Sequence, residues 1–199
     1  MENNGTPYEI IAAPYVVWIA AYGTDFPDVG SDPAVAWLKV GISGDKSQME
    51  SGVKVKHDQS IKKIFASGAT GPVKAVRDQE DLEVSFEIMD LTLESYARAL
   101  NGNAVNSVAA SVGVAAQKAL ALRQGILVGE VALLVRGASP YMADAYMQFE
   151  LPRVYQSGKP SPVFAKGKPA GLALAYTVLE DMNANSDEAR FGYLRAQTA

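Results

Sequence analysis

The chain has 199 residues, 48% of them hydrophobic and 20% charged, with a formal net charge of −4; this suits one domain with its own core and argues against a nucleic-acid binder that uses its whole surface. It has no cysteine and a single histidine, His57. Disulfide scaffolding, thiolate zinc sites, cysteine nucleophiles and multi-histidine metal sites are therefore excluded, and no oxidising compartment is required.

The first residues, "MENNGTPYE", are polar and without apolar period. Residues 1–9 are expected to be a flexible leader into the domain, and they lack the basic n-region of a signal peptide. Residues 10–22 are apolar but only 13 long and interrupted by Pro14, too short for a membrane span of about 20 residues. "PYVVWIAAYG" reads as a buried strand, "TDFPDVGSDP" as turn-rich, and "AVAWLKVGI" as the next strand.

Residues 42–80 hold few large apolar side chains beyond Ile61, Ile64 and Phe65, and their charges are mixed. Lys46, Lys54, Lys56, Lys62, Lys63, Lys74 and Arg77 are answered by Asp45, Glu50, Asp58, Asp78, Glu80 and Asp81. Such a segment has little core to dock on, so an extended hairpin or arm is expected, with a partner surface as its use.

The stretch "DLEVSFEIMDLTLESYARALNG", residues 81–102, changes period halfway. Leu82, Val84, Phe86 and Ile88 alternate with Glu83, Ser85 and Glu87, which predicts a strand with one dry and one acidic face. Leu93, Tyr96, Ala97 and Leu100 then fall on one helical stripe. Asp90 or Thr92 can cap the start and Asn101-Gly102 the end, so a helix at about 90–101 is expected to lie against a sheet.

"NAVNSVAASVGV" is weakly patterned and reads as a loop; "AAQKALALRQG" leaves helix and strand open, with alternation favouring strand. "EVALLVRG", "AYMQFELPRVYQSG", "GLALAYTVLED" and "ARFGYLRA" read as strands. In the second of these Met147, Phe149 and Leu151 oppose Gln148 and Glu150, and in the last Phe191 and Tyr193 share a side. The total is about nine strands and one helix. The fold class is mainly β: a single domain over residues 1–199, a sandwich or barrel-like protomer with one short flanking helix and an extended arm at 42–80.

Chemistry-bearing motifs are scarce. His57 in "KVKHDQ" reads as a solvated surface residue. Glu83, Glu87, Asp90, Glu94, Glu180 and Asp181 are scattered carboxylates. "GISGDKS" lacks phosphate-loop spacing, and "DMNANSDE" lacks the spacing and central glycine of an EF-hand. The expectation is a protein that is not an enzyme, with no catalytic residue, metal or cofactor.

Three features together resemble the major tail tube protein of long-tailed, non-contractile bacteriophages. They are the opening "APYVVWIAAYGTDFPD...DPAVAWLKVG", the charged hairpin ending in "VKAVRDQEDLEVSFEIMDLTLESYARAL", and the later "EVALLVRG" and "QFELPRV" strands. The strand feeding straight into "LTLESYARALN" is the most specific of them, and the resemblance spans about residues 12–195.

That resemblance implies a β-sandwich protomer, six of which close into a ring, with rings stacking into a hollow tail tube. The lumen would carry the tape-measure protein and then DNA, and the ends would meet tail terminator and baseplate proteins. The location implied is the virion tail, assembled in the bacterial cytoplasm, with no membrane partner. Inter-protomer contact candidates are Lys54, Lys56, Lys62, Lys63 and Phe65. Lumen-facing candidates are Glu83 and Glu87, whose carboxylates would repel passing phosphates. The alternatives are another ring-forming tail part, such as a terminator or baseplate ring, and a carbohydrate-binding module using Trp18, Trp37, Tyr155 or Tyr193.

Overall fold

A computed structural model describes residues 10–41 and 43–198; the N-terminal segment 1–9 lies outside the described residues. Ten strands occur among them, and all pairings are antiparallel. In chain order they are β1 (Val16–Ala21), β2 (Leu38–Lys39), β3 (Lys54–Phe65), β4 (Pro72–Ile88), β5 (Val105–Val108), β6 (Gln117–Leu120), β7 (Glu130–Ala138), β8 (Tyr146–Gln156), β9 (Leu172–Val178) and β10 (Tyr193–Ala196). One α-helix, α1 (Leu93–Ala99), follows β4.

Eight strands make one sheet in the order β2-β1-β7-β8-β9-β4-β3, with β10 added on β8. β8 is shared along its length: residues 147–150 pair with β10 and residues 154–156 with β9. The sheet buries a large cluster on one face and a small one, of Ala20, Trp37, Ala132 and Leu134, on the other. Val17 of β1, Leu133 and Val135 of β7, Leu151 and Val154 of β8, Leu172 to Val178 of β9 and Val84 to Ile88 of β4 form a single buried cluster. The sandwich or barrel-like protomer thus takes the form of a continuous curled sheet, mainly β with one helix.

Alternation sets the faces of β4 and β9. Leu82, Val84, Phe86 and Ile88 are buried, as are Leu172, Leu174, Tyr176 and Val178. The rings of Phe86 and Tyr176 stack with centroids 6.2 Å apart. α1 then caps this core. Thr92 is its N-cap, its hydroxyl accepting from the Ser95 backbone N–H at 3.1 Å. Asn101 and Gly102 take left-handed φ of 66° and 71°, and the Gly102 N–H closes on the Ala97 carbonyl. The buried positions are Ser95, Ala97, Ala99 and Leu100, whereas Leu93, expected on the buried stripe, is exposed.

Three other expectations change. The "AVAWLKVGI" strand shrinks to Leu38–Lys39, because Trp37 turns inward, donating to the Asp25 carbonyl, while Leu38 is exposed. The expected loop at 103–114 contains β5, which pairs with β6 in a small separate sheet beside α1. In β8 the polar side is the better buried: Gln148 and Glu150 are covered, whereas Phe149 is only partly so. The cover is the 24–32 loop, which the sequence alone does not place.

Candidate functional site

β3 and β4 leave the body of the protein together. They pair from Lys54↔Ser85 out to Phe65↔Pro72, with irregularities at Ser60/Ile61 and Ile64/Phe65. Every residue from 56 to 81 is exposed. At about 3.3 Å per residue the paired arm reaches roughly 30 Å beyond the core. Its base lies at Lys54, because residues 47–49 dock against the end of β4: Gln48 bridges Ile88, and the Met49 N–H donates to the Glu87 carbonyl.

Of the arm's surface ion pairs, Lys62 to Asp78 at 2.7 Å crosses between the strands, whereas Lys56 to Asp58 at 2.6 Å runs along β3 and Arg77 to Glu80 at 3.2 Å along β4. Such solvent-exposed pairs contribute little to stability. Its apolar side chains are left outside. Ile61, Ile64, Phe65, Val73 and Val76 are 43–61% exposed. The contact candidates Lys54, Lys56, Lys62, Lys63 and Phe65 therefore all lie on one strand, the terminal strand β3 of the large sheet. His57 is exposed on the same strand.

Glu83 and Glu87 sit where β4 rejoins the body, on the face opposite the core, and both are partly buried. Glu83 stands opposite Lys56 on one side and Thr177 on the other. The Lys56 ammonium is held above its usual pKa by the Asp58 hydrogen bond and charge, with smaller help from Glu83 and Asp81. Glu87 packs over Gly171, where any Cβ would collide with its carboxylate, and borders a groove shared with Lys54 and Lys159. This face is therefore mixed in charge rather than purely acidic.

A second exposed apolar element lies beside α1. Ile126, Leu127 and Val128 are 90%, 85% and 59% exposed. They are held in place nonetheless. The Asn101 amide donates to the carbonyls of Gln124 and Leu127, at 3.2 and 2.8 Å, and its oxygen accepts from the Gly129 N–H. Asn103 donates in the same way to the carbonyls of Ala121 and Arg123. The asparagine read as a helix stop is thus also the tether of this loop.

A buried polar chain crosses β7, β8 and β10. The Arg136 guanidinium donates to Gln148 Oε1 at 2.8 Å and to the carbonyls of Ser31 and Asp28 at 2.6 and 3.1 Å. Gln148 Nε2 donates to the Pro27 carbonyl and to Glu150 Oε1, and Arg195 donates to Glu150 Oε2 at 2.9 Å. Burial lowers the Arg136 pKa, opposed by Tyr146, Asp32 and Glu150. This chain clamps the 24–32 loop onto the sheet. Its only sequence signal is an arginine in "LLVRG" and a glutamine in "MQFE", both at ladder-facing positions.

The aromatic residues named for a carbohydrate platform do not assemble into one. Trp37 is in the core, Trp18 is partly buried beneath Lys39, Tyr155 is partly buried, and Tyr193 is exposed against Arg195. In "DMNANSDE" the Asp181 carboxylate accepts from the Tyr22 hydroxyl and the Asn183 N–H, which makes a pinned turn. Among the described residues no group of three or more histidines, cysteines or carboxylates could hold a metal ion. No helix among them is long and apolar enough to cross a membrane. Comparison with known proteins returned neither a matching family model nor a matching curated relative.

Proposed function

We propose that this chain is the repeating structural subunit of a hollow tube of the long-tailed-phage type, closing into hexameric rings that stack. The tube passes the tape-measure protein and then DNA, and its ends meet terminator and baseplate proteins. The observation that carries this reading is the arm. A two-stranded hairpin is marginally stable alone, and this one is exposed on both faces with five apolar side chains outside. Patches of that kind gain cover only from another molecule.

The sheet edges support the same reading. The large sheet ends in β2 on one side and β3 on the other, and terminal strands present unpaired backbone groups that invite pairing. A head-to-tail contact between different surfaces closes into a ring or continues as a filament, according to its rotation. In such a ring Glu83 and Glu87, facing away from the core, line the lumen, with Lys56 tempering the charge of Glu83.

The test is a chain in which residues 60–79 are replaced by Asn-Gly, a favoured two-residue hairpin turn, so that the paired Gln59 and Glu80 flank it. That chain should keep the fold and stay monomeric at concentrations where the full chain forms particles. An arm-deleted chain that polymerises like the full one would refute the assignment.

A further inference from the structure

Away from the arm, a groove of about 250 Å³ opens over one end of the main core, between β1, β2, the C-terminal end of α1 and the start of β7. Its side chains converge from one face of the sheet. Ile19 pairs with Leu38, Ala21 with Val131 and Gln156 with Tyr176, and directly paired residues share a face. Ile19 and Ala21 are two apart on β1, and Val154, two before Gln156, pairs with Val131 through the β7–β8 ladder, so the three pairs lie on the same side. The lining is almost wholly apolar.

Two hydrogen-bond donors at this groove are left over. Tyr176 is 1% exposed, and its hydroxyl has no partner among the described residues. Arg98, in the last turn of α1, donates to the Lys39 carbonyl at 3.3 Å and has no ion-pair partner among the described residues. A guanidinium carries five N–H donors, so most of its capacity is open. Its charge reaches the Tyr176 phenol, where it opposes the rise in pKa that burial causes. The other polar side chains of the lining are committed elsewhere: the Gln156 amide donates to the Gly158 carbonyl, and the Asn101 amide tethers the 124–129 loop.

We propose that this groove binds a short aliphatic carboxylate, its chain lying against Ile19, Ala21, Leu38 and Val131 and its oxygens accepting from Arg98 and the Tyr176 hydroxyl. Both open groups are donors and one is cationic, so the head that matches them is anionic and accepts only, as an ionised carboxylate does. The volume holds roughly eight water-sized groups, which suits a chain of about five or six carbons and excludes a helix or strand. Entry costs the long Arg98 bond to Lys39, and a charge-assisted pair replaces it. Apolar burial supplies affinity, and the two donors select the head group, because a neutral head leaves the guanidinium without a counter-charge.

The test is saturation-transfer-difference NMR on the full chain at pH 7, with hexanoate, hexanamide and acetate as probes. Transfer is read from monomer and assembled particle alike, so the result does not depend on tube formation. Hexanoate should bind at least about tenfold more tightly than its neutral amide or than acetate, which has the charge without the chain. Arg98→Gln should erase the preference for hexanoate over hexanamide, and Tyr176→Phe should weaken hexanoate by about three- to tenfold. Ala21 and Ala36 are exposed and line the groove from two sides, so Ala21→Phe and Ala36→Phe should each fill it and abolish transfer to both six-carbon probes. Circular dichroism of each variant should match the parent. Equal affinity for hexanoate and hexanamide, a preference that survives Arg98→Gln, binding that persists in both filled variants, or no transfer from the parent would each overturn the proposal.

Discussion

Arg136 is the residue whose loss should be felt furthest from its own position. It is 5% exposed and ties β7 to the 24–32 loop through two donated hydrogen bonds and to Gln148 of β8 through a third. Replacing it with methionine keeps most of the volume but removes every donor. The carbonyls of Ser31 and Asp28 and the Gln148 Oε1 atom then lose their partner. Bonds to a charged group are worth about 1.5–3 kcal/mol each, yet they do not add, because the released loop can rehydrate its carbonyls. Glu150 keeps Arg195 and Gln148, so no isolated charge is left inside. The cost therefore falls near the low end of the range of about 3–5 kcal/mol for breaking a buried network. In a chain of this size about 3 kcal/mol lowers Tm by roughly 6–12 °C. Urea unfolding should show the midpoint falling with little change in slope. Limited proteolysis should cut within residues 22–36 before the body unfolds. A variant that melts within about 2 °C of the parent, with its loop still protected, would refute the clamp.

Tyr176 is 1% exposed, and its hydroxyl has no partner among the described residues; burial pushes its pKa up to about 12. Tyr176→Phe should therefore cost nothing or stabilise by about 1 kcal/mol at neutral pH. The folded state resists ionisation that the unfolded chain undergoes near pH 10, so the parent should lose stability from about pH 10 to pH 12 and the phenylalanine variant should lose less, read by alkaline melting curves. Glu130 is held below the usual carboxylate range by the Arg153 hydrogen bond. The stability it contributes is present above its unfolded value of about 4.3 and is lost as pH falls through the lower folded value, so Glu130→Gln should destabilise at pH 7 but not near pH 2. A Cβ on Gly137 would lie 1.9 Å from the Tyr15 ring. Gly137→Ala should therefore displace that ring and lower Tm, and Gly137→Ala/Tyr15→Ala should melt higher than additivity of the single changes allows. Glu83→Lys/Glu87→Lys should leave assembly intact but slow DNA passage in tail particles, more so at low salt. Unchanged ejection would remove both residues from the lumen.

Much of the fold is legible because Leu82–Ile88 and β9 alternate and because residues 42–80 hold few large apolar side chains, although of these residues 48–49 dock on the end of β4 and only those from 56 onward stand clear of the body. The stop at Asn101-Gly102 is legible for a similarly local reason, since left-handed φ favours these two residues. What the sequence hides depends on long-range cover. Gln148 and Glu150 read as a wet face until the 24–32 loop closes over them, and no local period announces that loop. β5 is hidden because Val105 to Val108 pair only with β6, outside the main core.

The most direct measurement is negative-stain electron microscopy of the purified full chain at high concentration. Hollow tubes of uniform width built from stacked six-fold rings are the expected result. Isolated rings that never stack would assign the chain to another ring-forming tail part. Monomers at every concentration would contradict self-assembly altogether.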